Sequence, residues 1–221
     1  MSEYLHCFDM TNKLKCMNIA STGALHSLLV VQLVTLDPRP HPSQIEIEAF
    51  DHYSDMDING PSSARLFYII RRSILRTLDI ELTTEETRHL EIGNLEIQFE
   101  RARRIWKPTA PSRLSCLFLV ENNDDGRATL GSMFSSSFNQ PKTIEVDTLP
   151  GIREIMRFDS RWVDEYLANP SEQALRDYWE QEPFNPMIPS WEYLLEGSII
   201  CTNNFQRQEV AEYVRINHPE D

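Results

Sequence analysis

Stretches of strand length and stretches of helix length follow one another in this chain without regular alternation, and that irregular order constrains the fold more than any motif does. Leu114–Val120 (LSCLFLV) is a short apolar run closed by the turn-forming Asn122–Gly126, and it reads as a buried strand. Leu66–Ile70 (LFYII) is aromatic and β-branched and reads as a second strand, Thr143–Val146 as a third, and Trp191–Thr202 as one long strand carrying Glu192 and Glu196. Between them, Leu95, Phe99, Ala102 and Trp106 approximate helical spacing, so Asn94–Trp106 is expected to be an amphipathic helix ended by Lys107-Pro108. Asp125 is a plausible cap for the next helix, and Ser160 and Ser171 open two more, to Leu167 and Trp179. Gln206–Ile216 is a charged C-terminal helix. A doubly wound sheet needs repeated strand–helix–strand units, so this order predicts an α+β fold.

The first 63 residues are read as an N-terminal extension, and 64–221 as the main domain. Ala24–Leu36 is apolar without a clear period, so helix and strand both remain open there. The segment 37–43 is a proline-rich break, Gln44–Phe50 alternates like an exposed strand, and the polar stretch Asp51–Ser63 reads as a linker. With 41% hydrophobic and 25% charged residues, a chain of 221 residues can bury a core without metal or disulfide staples. Cys7, Cys16, Cys116 and Cys201 match no common metal spacing, and the reading is four reduced thiols with no disulfide-linked partner. The longest apolar run, Leu28–Val34, is too short to cross a bilayer, so no membrane partner is expected. The opening MSEYLHCFDM has neither the basic start nor the apolar core of a secretory signal, which points to a cytoplasmic protein.

A net charge of −13 repels nucleic acid and anionic membrane unless a local patch reverses the sign. From Arg65 to Arg113 there are ten Lys or Arg and seven Asp or Glu, a net of +3 that leaves −16 for the remainder. That half reads either as solvated charge or as the seat of an anionic, phosphate-bearing cofactor. Phosphate loops, dinucleotide fingerprints and nucleophile elbows are absent, and the six histidines never pair at zinc spacing.

Three segments place polar residues at the ends of apolar runs: Phe67–Arg72, Pro111–Ser115 and Trp191–Gly197. Together with the helix FERARRIW, the phrase PSRLSCLF, Tyr178-Trp179 and WEYLLEG, they give the stretch 66–202 an order that resembles uncharacterised bacterial and phage domains related to ADP-ribosyltransferases. The resemblance implies a split, strongly bent sheet with flanking helices and a cleft that holds NAD as the substrate, with no metal. It implies an early strand supplying His or Arg to fix the cofactor, a middle strand supplying a small hydroxyl residue, and a late strand supplying a glutamate. The matching positions are Tyr68 or Arg71, then Ser115, then Glu192; the related domains often carry histidine at the position matched to Tyr68.

On this reading NAD is cleaved and ADP-ribose passes to a protein or nucleic-acid acceptor through an oxocarbenium-like transition state. Glu196 is four residues on from Glu192 and expected on the same strand face, so that one of the two orients substrate while the other stabilises the developing charge. Arg71 or Arg113 pairs with the pyrophosphate, Ser115 hydrogen-bonds the glutamate or the ribose, and Tyr68, Phe118 or Tyr193 stacks on the nicotinamide. The alternative is a catalytically inactive interaction or inhibitor protein on the same scaffold, whose acidic surface docks a basic partner or mimics nucleic acid.

Overall fold

The computed structural model describes residues 2–36, 40–50, 64–77, 81–134, 139–151 and 154–218. The linker expected at Asp51–Ser63, and residues 37–39 of the proline-rich break before it, lie outside the described residues. Seven strands form one sheet: β1 (Tyr4–Asp9), β2 (Ala24–His26), β3 (Leu117–Glu121), β4 (Pro141–Thr148), β5 (Glu154–Asp159), β6 (Trp191–Glu196) and β7 (Ser198–Cys201). The helices are α1 (Lys13–Thr22), α2 (Leu28–Thr35), α3 (Ala64–Thr77), α4 (Thr84–Trp106), α5 (Asp124–Phe134), α6 (Arg161–Ala168), α7 (Glu172–Trp179) and α8 (Asn204–Asn217). Every pairing is antiparallel, in the order β2-β7-β4-β1-β3-β6-β5, so the fold is α+β with helices flanking the sheet.

One chain stretch bends this sheet back on itself. β6 pairs with β3 and β5, β7 pairs with β4 and β2, and only Gly197 separates them. Strands that stand second and sixth in the order are therefore contiguous in the chain, which a flat sheet cannot accommodate. The single long strand expected over Trp191–Thr202 is thus two, because the residue at the break must serve two different sheet edges. β1 and β3 pair only at Tyr4↔Glu121 and Leu5↔Val120, while β1 pairs with β4 along its whole length.

Alternation along the strands divides the core in two. Leu5, Cys7, Phe118, Val120, Phe158 and Leu194 face α4 and α7, packing on Phe99, Tyr178 and Trp179. Phe8, Leu117, Leu119, Ile144, Val146, Leu195 and Ile199 face the other way, onto Cys16 and Ile19 of α1 and Val210 of α8. β1, the central strand of the sheet, and α1 both contribute to this core.

Several local expectations are corrected. Leu66–Ile70 lies inside α3, not in a strand: Tyr68, Ile69, Arg72, Ser73 and Leu75 are buried at helical spacing, continuing a pattern that five residues alone cannot distinguish from a strand. Backbones of α3 and α4 approach closely at Gly93, where an added Cβ would lie 2.6 Å from the Tyr68 carbonyl. Residues 42–44 and 47–50 form 3₁₀ turns in place of the exposed strand expected over Gln44–Phe50. The ambiguous run 24–36 is both things at once, β2 then α2, with Ser27 between them. The cap of α5 is Asn123, whose Oδ1 accepts from the Gly126 N–H at 2.8 Å, while Asp125 sits in the first turn. Ser171 caps α7 as expected, its Oγ accepting from Ala174 N–H at 3.1 Å.

Candidate functional site

A buried ionic network centred on Arg113 joins helix to sheet. Its Nε and Nη2 donate to the two carboxylate oxygens of Glu96 on α4 at 3.0 and 3.1 Å, and its Nη1 donates to Oε1 of Glu192 on β6 at 2.6 Å. Nη1 also lies 2.6 Å from the Tyr178 hydroxyl oxygen, and that hydroxyl donates to the same Glu192 oxygen at 2.8 Å. The guanidinium is enclosed by the rings of Phe99, Phe118 and Tyr178, each 5.1 to 5.3 Å from its carbon. Side chains of Arg113, Glu96 and Glu192 are 1% exposed or less. Burial alone would raise the Glu96 carboxyl, but Arg113 and Arg65 beside it hold it below the usual range. Burial, with Glu192 adding to it, drives the Tyr178 phenol far upward, so it stays a neutral donor.

One helical turn on, Glu100 repeats the arrangement. It accepts from Arg103 and Arg104 of its own helix and from the Ser112 hydroxyl, while Arg103 Nη1 donates to the carbonyls of Pro108 and Ala110. The phrases FERARRIW and PSRLS are therefore two halves of one clamp that fixes the 107–116 connection to α4. Four of the basic residues between Arg65 and Arg113, namely Arg65, Arg103, Arg104 and Arg113, pair inside the protein with Glu96 and Glu100.

Of the residues expected at a site, Glu192, Arg113 and Phe118 come together, and the others do not join them. Tyr68 is on α3, packed at 5.3 Å against His89, and Arg71 pairs with Glu86 at 3.3 Å. The Ser115 hydroxyl donates to the Ser112 carbonyl at 3.4 Å, a turn contact before β3. Tyr193 points to the opposite face, its hydroxyl donating to Glu121 at 2.6 Å. Glu196 is four strand residues from Glu192, roughly 13 Å along the chain, and lies 3.7 Å from His41. Two carboxylates so separated do not reach one ribose.

Beside Glu192 is a cavity of about 100 Å³ lined by Arg65, Arg88, Arg113, Ser132, Asp164 and Glu192 among others. Ser132 and Asp164 also line a wider trough of about 620 Å³ between α5 and the 187–191 segment, where Arg157 lies over the Trp191 ring at 4.6 Å. Burial, with Glu192 adding to it, pushes the Asp164 carboxyl up. Glu96, Tyr178 and Asp164 were not singled out by the sequence; Tyr178 is visible only as part of an aromatic pair, and Glu96 only as an acidic residue on the apolar side of α4.

The second polar feature is His6, in the centre of β1. Its Nδ1 is 2.9 Å from the Phe118 carbonyl and so carries the ring proton, because a carbonyl only accepts. Nε2 is buried with no hydrogen-bond partner among the described residues. Desolvation, with Lys15 adding to it, pulls the ring's pKa down to about 3, so the neutral ring presents a bare acceptor at Nε2. His6 shares its strand face with Phe8, on which it stacks at 6.2 Å, and this is the face opposite Glu192. It lies where β1 and β3 part.

Cys7, Cys16, Cys116 and Cys201 are all buried free thiols. Among the described residues no helix is long and apolar enough to cross a membrane, and no group of three or more His, Cys, Asp or Glu could hold a metal ion. No curated protein matches the chain. A family model described as a protein of unknown function, DUF2441, matches residues 73–212, which covers the C-terminal part of α3, Glu96 and Glu100 of α4, Arg113, Tyr178 and Glu192. With that match spanning more than half of the 221 residues, the chain belongs to the DUF2441 family.

Proposed function

We propose that this protein is an ADP-ribosyltransferase-like protein that binds NAD at His6, with Glu192 bracing the sheet. The observation that carries this reading is the buried Nε2 of His6 on β1, which has no hydrogen-bond partner among the described residues. The resemblance, which covers 66–202, implies an early strand supplying His or Arg at Tyr68 or Arg71; those residues are on a helix, and His6 of β1, outside the resembling stretch, is put forward for the role on its geometry alone. A neutral ring with its proton fixed on Nδ1 accepts a hydroxyl hydrogen at Nε2, and a ribose supplies one. The bend at Gly197 and the parting of β1 from β3 support the split sheet that the resemblance implies. The cavity at Glu192 does not fit the cofactor: about 100 Å³ is well below the roughly 300 Å³ at the small end of ligand pockets.

A second reading, cofactor binding without turnover, is favoured by the geometry of Glu192. Its Oε1 is held by Arg113 and Tyr178 on the face away from His6, where it cannot steady a cation forming at a ribose on the His6 side. One experiment separates the two. Calorimetry with NAD and an assay for released nicotinamide are run on the wild type, His6→Ala and Glu192→Gln, each checked for folding by circular dichroism. Transferase-like activity requires release that His6→Ala abolishes and Glu192→Gln retains. Binding lost in His6→Ala with no release from any form supports the non-catalytic reading. If the folded wild type neither binds nor cleaves NAD, both fail.

A further inference from the structure

We infer that the cavity between α4, α6 and β6 is a binding site for a small zwitterion, an α-amino acid of the size of alanine or serine. Its polar lining carries both signs. Arg65, Arg88 and Arg113 stand against Asp164 and Glu192, and Glu96 lies directly behind Arg65 and Arg113. With Glu96 counted, three positive and three negative groups surround the space, so neither a bare anion nor a bare cation is matched by the whole of it.

The carboxylate side is left open. Glu192 is 1% exposed and lines the cavity, but Arg113 and Tyr178 both use its Oε1; Oε2 makes no hydrogen bond among the described residues. Asp164, in the first turn of α6, makes no hydrogen bond or ion pair among them either. Two acceptors with open lone pairs, close enough for Glu192 to push the Asp164 carboxyl up, call for a donor with several N–H bonds. A primary ammonium has three. The guanidinium of Arg65, whose Nε lies 3.4 Å from Glu96, makes no hydrogen bond among the described residues and matches a carboxylate, while Arg88, which has a partner of its own, adds positive charge to the lining.

Size excludes most other zwitterions. A cavity of about 100 Å³ is smaller than the roughly 150 Å³ that admits benzene. A short side chain leaves through the side shared with the wider trough, past Ser132 and Asp164. This site is on the sheet face opposite His6 and is independent of the NAD reading.

Calorimetry on the full chain with L-alanine and L-serine tests the assignment, with ethylamine and propionate as single-charge controls and Asp164→Asn and Arg88→Gln as variants. Binding of an amino acid, at least tenfold tighter than either control, is expected. Asp164→Asn should weaken it at least tenfold with little change in the thermal midpoint, since Asp164 makes no hydrogen bond or ion pair among the described residues. The assignment is overturned if neither amino acid binds, if propionate binds as tightly as alanine, or if both variants keep wild-type affinity.

Discussion

Arg113 and Glu192 stand 79 positions apart, yet the guanidinium donates to the carboxylate at 2.6 Å with each side chain 1% exposed. A charge so deeply withdrawn from water is tolerated only because every partner is present. Removing the hub leaves Glu96 with the longer contact to Arg65 and leaves Glu192 with a phenol alone. Arg113→Leu is therefore expected to cost about 3–5 kcal/mol, the range for breaking one side of a buried pair. Glu192→Gln keeps the shape and an acceptor oxygen, and Arg113 keeps Glu96, so its cost should be about 1.5–3 kcal/mol, the value of one charge-assisted bond. Urea denaturation of the two variants ranks them, and equal losses would mean that Glu96 is not the main counter-charge.

His6 gives stability a pH dependence of known sign. Its folded pKa of about 3 lies below the ordinary 6.5, so between those values the unfolded chain binds the proton that the folded chain excludes. Stability is then intact above pH 6.5 and falls as the pH drops towards 3, by up to roughly 1.4 kcal/mol per unit from this group. Carboxylates such as Glu96 add a loss of the same sign at lower pH. The share owed to His6 is the difference between wild type and His6→Gln in urea midpoints at pH 7.5 and 4.5. The variant should lose distinctly less between the two, and identical losses would place the proton elsewhere.

The local vocabulary of the fold was legible, and its long-range grammar was not. The strand Leu117–Val120 within Leu114–Val120, the strand at Thr143–Val146, the second half of α4 at Asn94–Trp106 and the helix Ser171–Trp179 could be read because each shows its period or its cap locally, whereas residues 114–116 are a turn and α4 starts at Thr84. β1 (YLHCFD) could not, since a strand buried on both faces shows no polar alternation, and β5 (EIMRFD) could not because its burial does not alternate, running from three half-buried residues through exposed Arg157 to buried Phe158 and Asp159. Leu66–Ile70 misled because an apolar run of five fits a strand or two-thirds of a helical patch equally. At the site, Glu192 and Arg113 were visible as charges beside apolar runs. That Glu96 and Tyr178 complete their environment depends on contacts 17 and 65 positions away from Arg113, which no periodicity encodes.

The thiols should be chemically silent in the native state. Burial drives the Cys116 thiol far up and the Cys16 thiol to about 11, and it raises Cys7 and Cys201 as well. Almost no thiolate, the reactive form, exists at pH 8. A disulfide-exchange reagent should therefore find no fast-reacting sulfhydryl in the folded protein and four after denaturation. A fast native reaction would identify a cysteine reached by local opening, and β7, which carries Cys201, is the first place to look.

Two glycines of α5 should respond to alanine with opposite signs. Gly126 lies against the end of β3, where an added Cβ would sit 2.0 Å from the Glu121 carbonyl oxygen and 3.1 Å from a Val120 methyl. The first obstacle is backbone and cannot rotate away, so Gly126→Ala must shift the start of α5 and break the Asn123 cap that Gly126 donates to. Overpacking of this kind costs about 1–3 kcal/mol, with the lost cap adding about 1. Gly131 meets nothing within 4 Å and is exposed, so Gly131→Ala gains helix propensity without a clash, a stabilisation of about 0.5–1 kcal/mol. Thermal midpoints moving down for the first and up for the second would fix which side of α5 packs on the sheet. If both rise, the close approach of α5 to β3 is not as described, and the wall of the trough that Gly126 helps to form has to be redrawn.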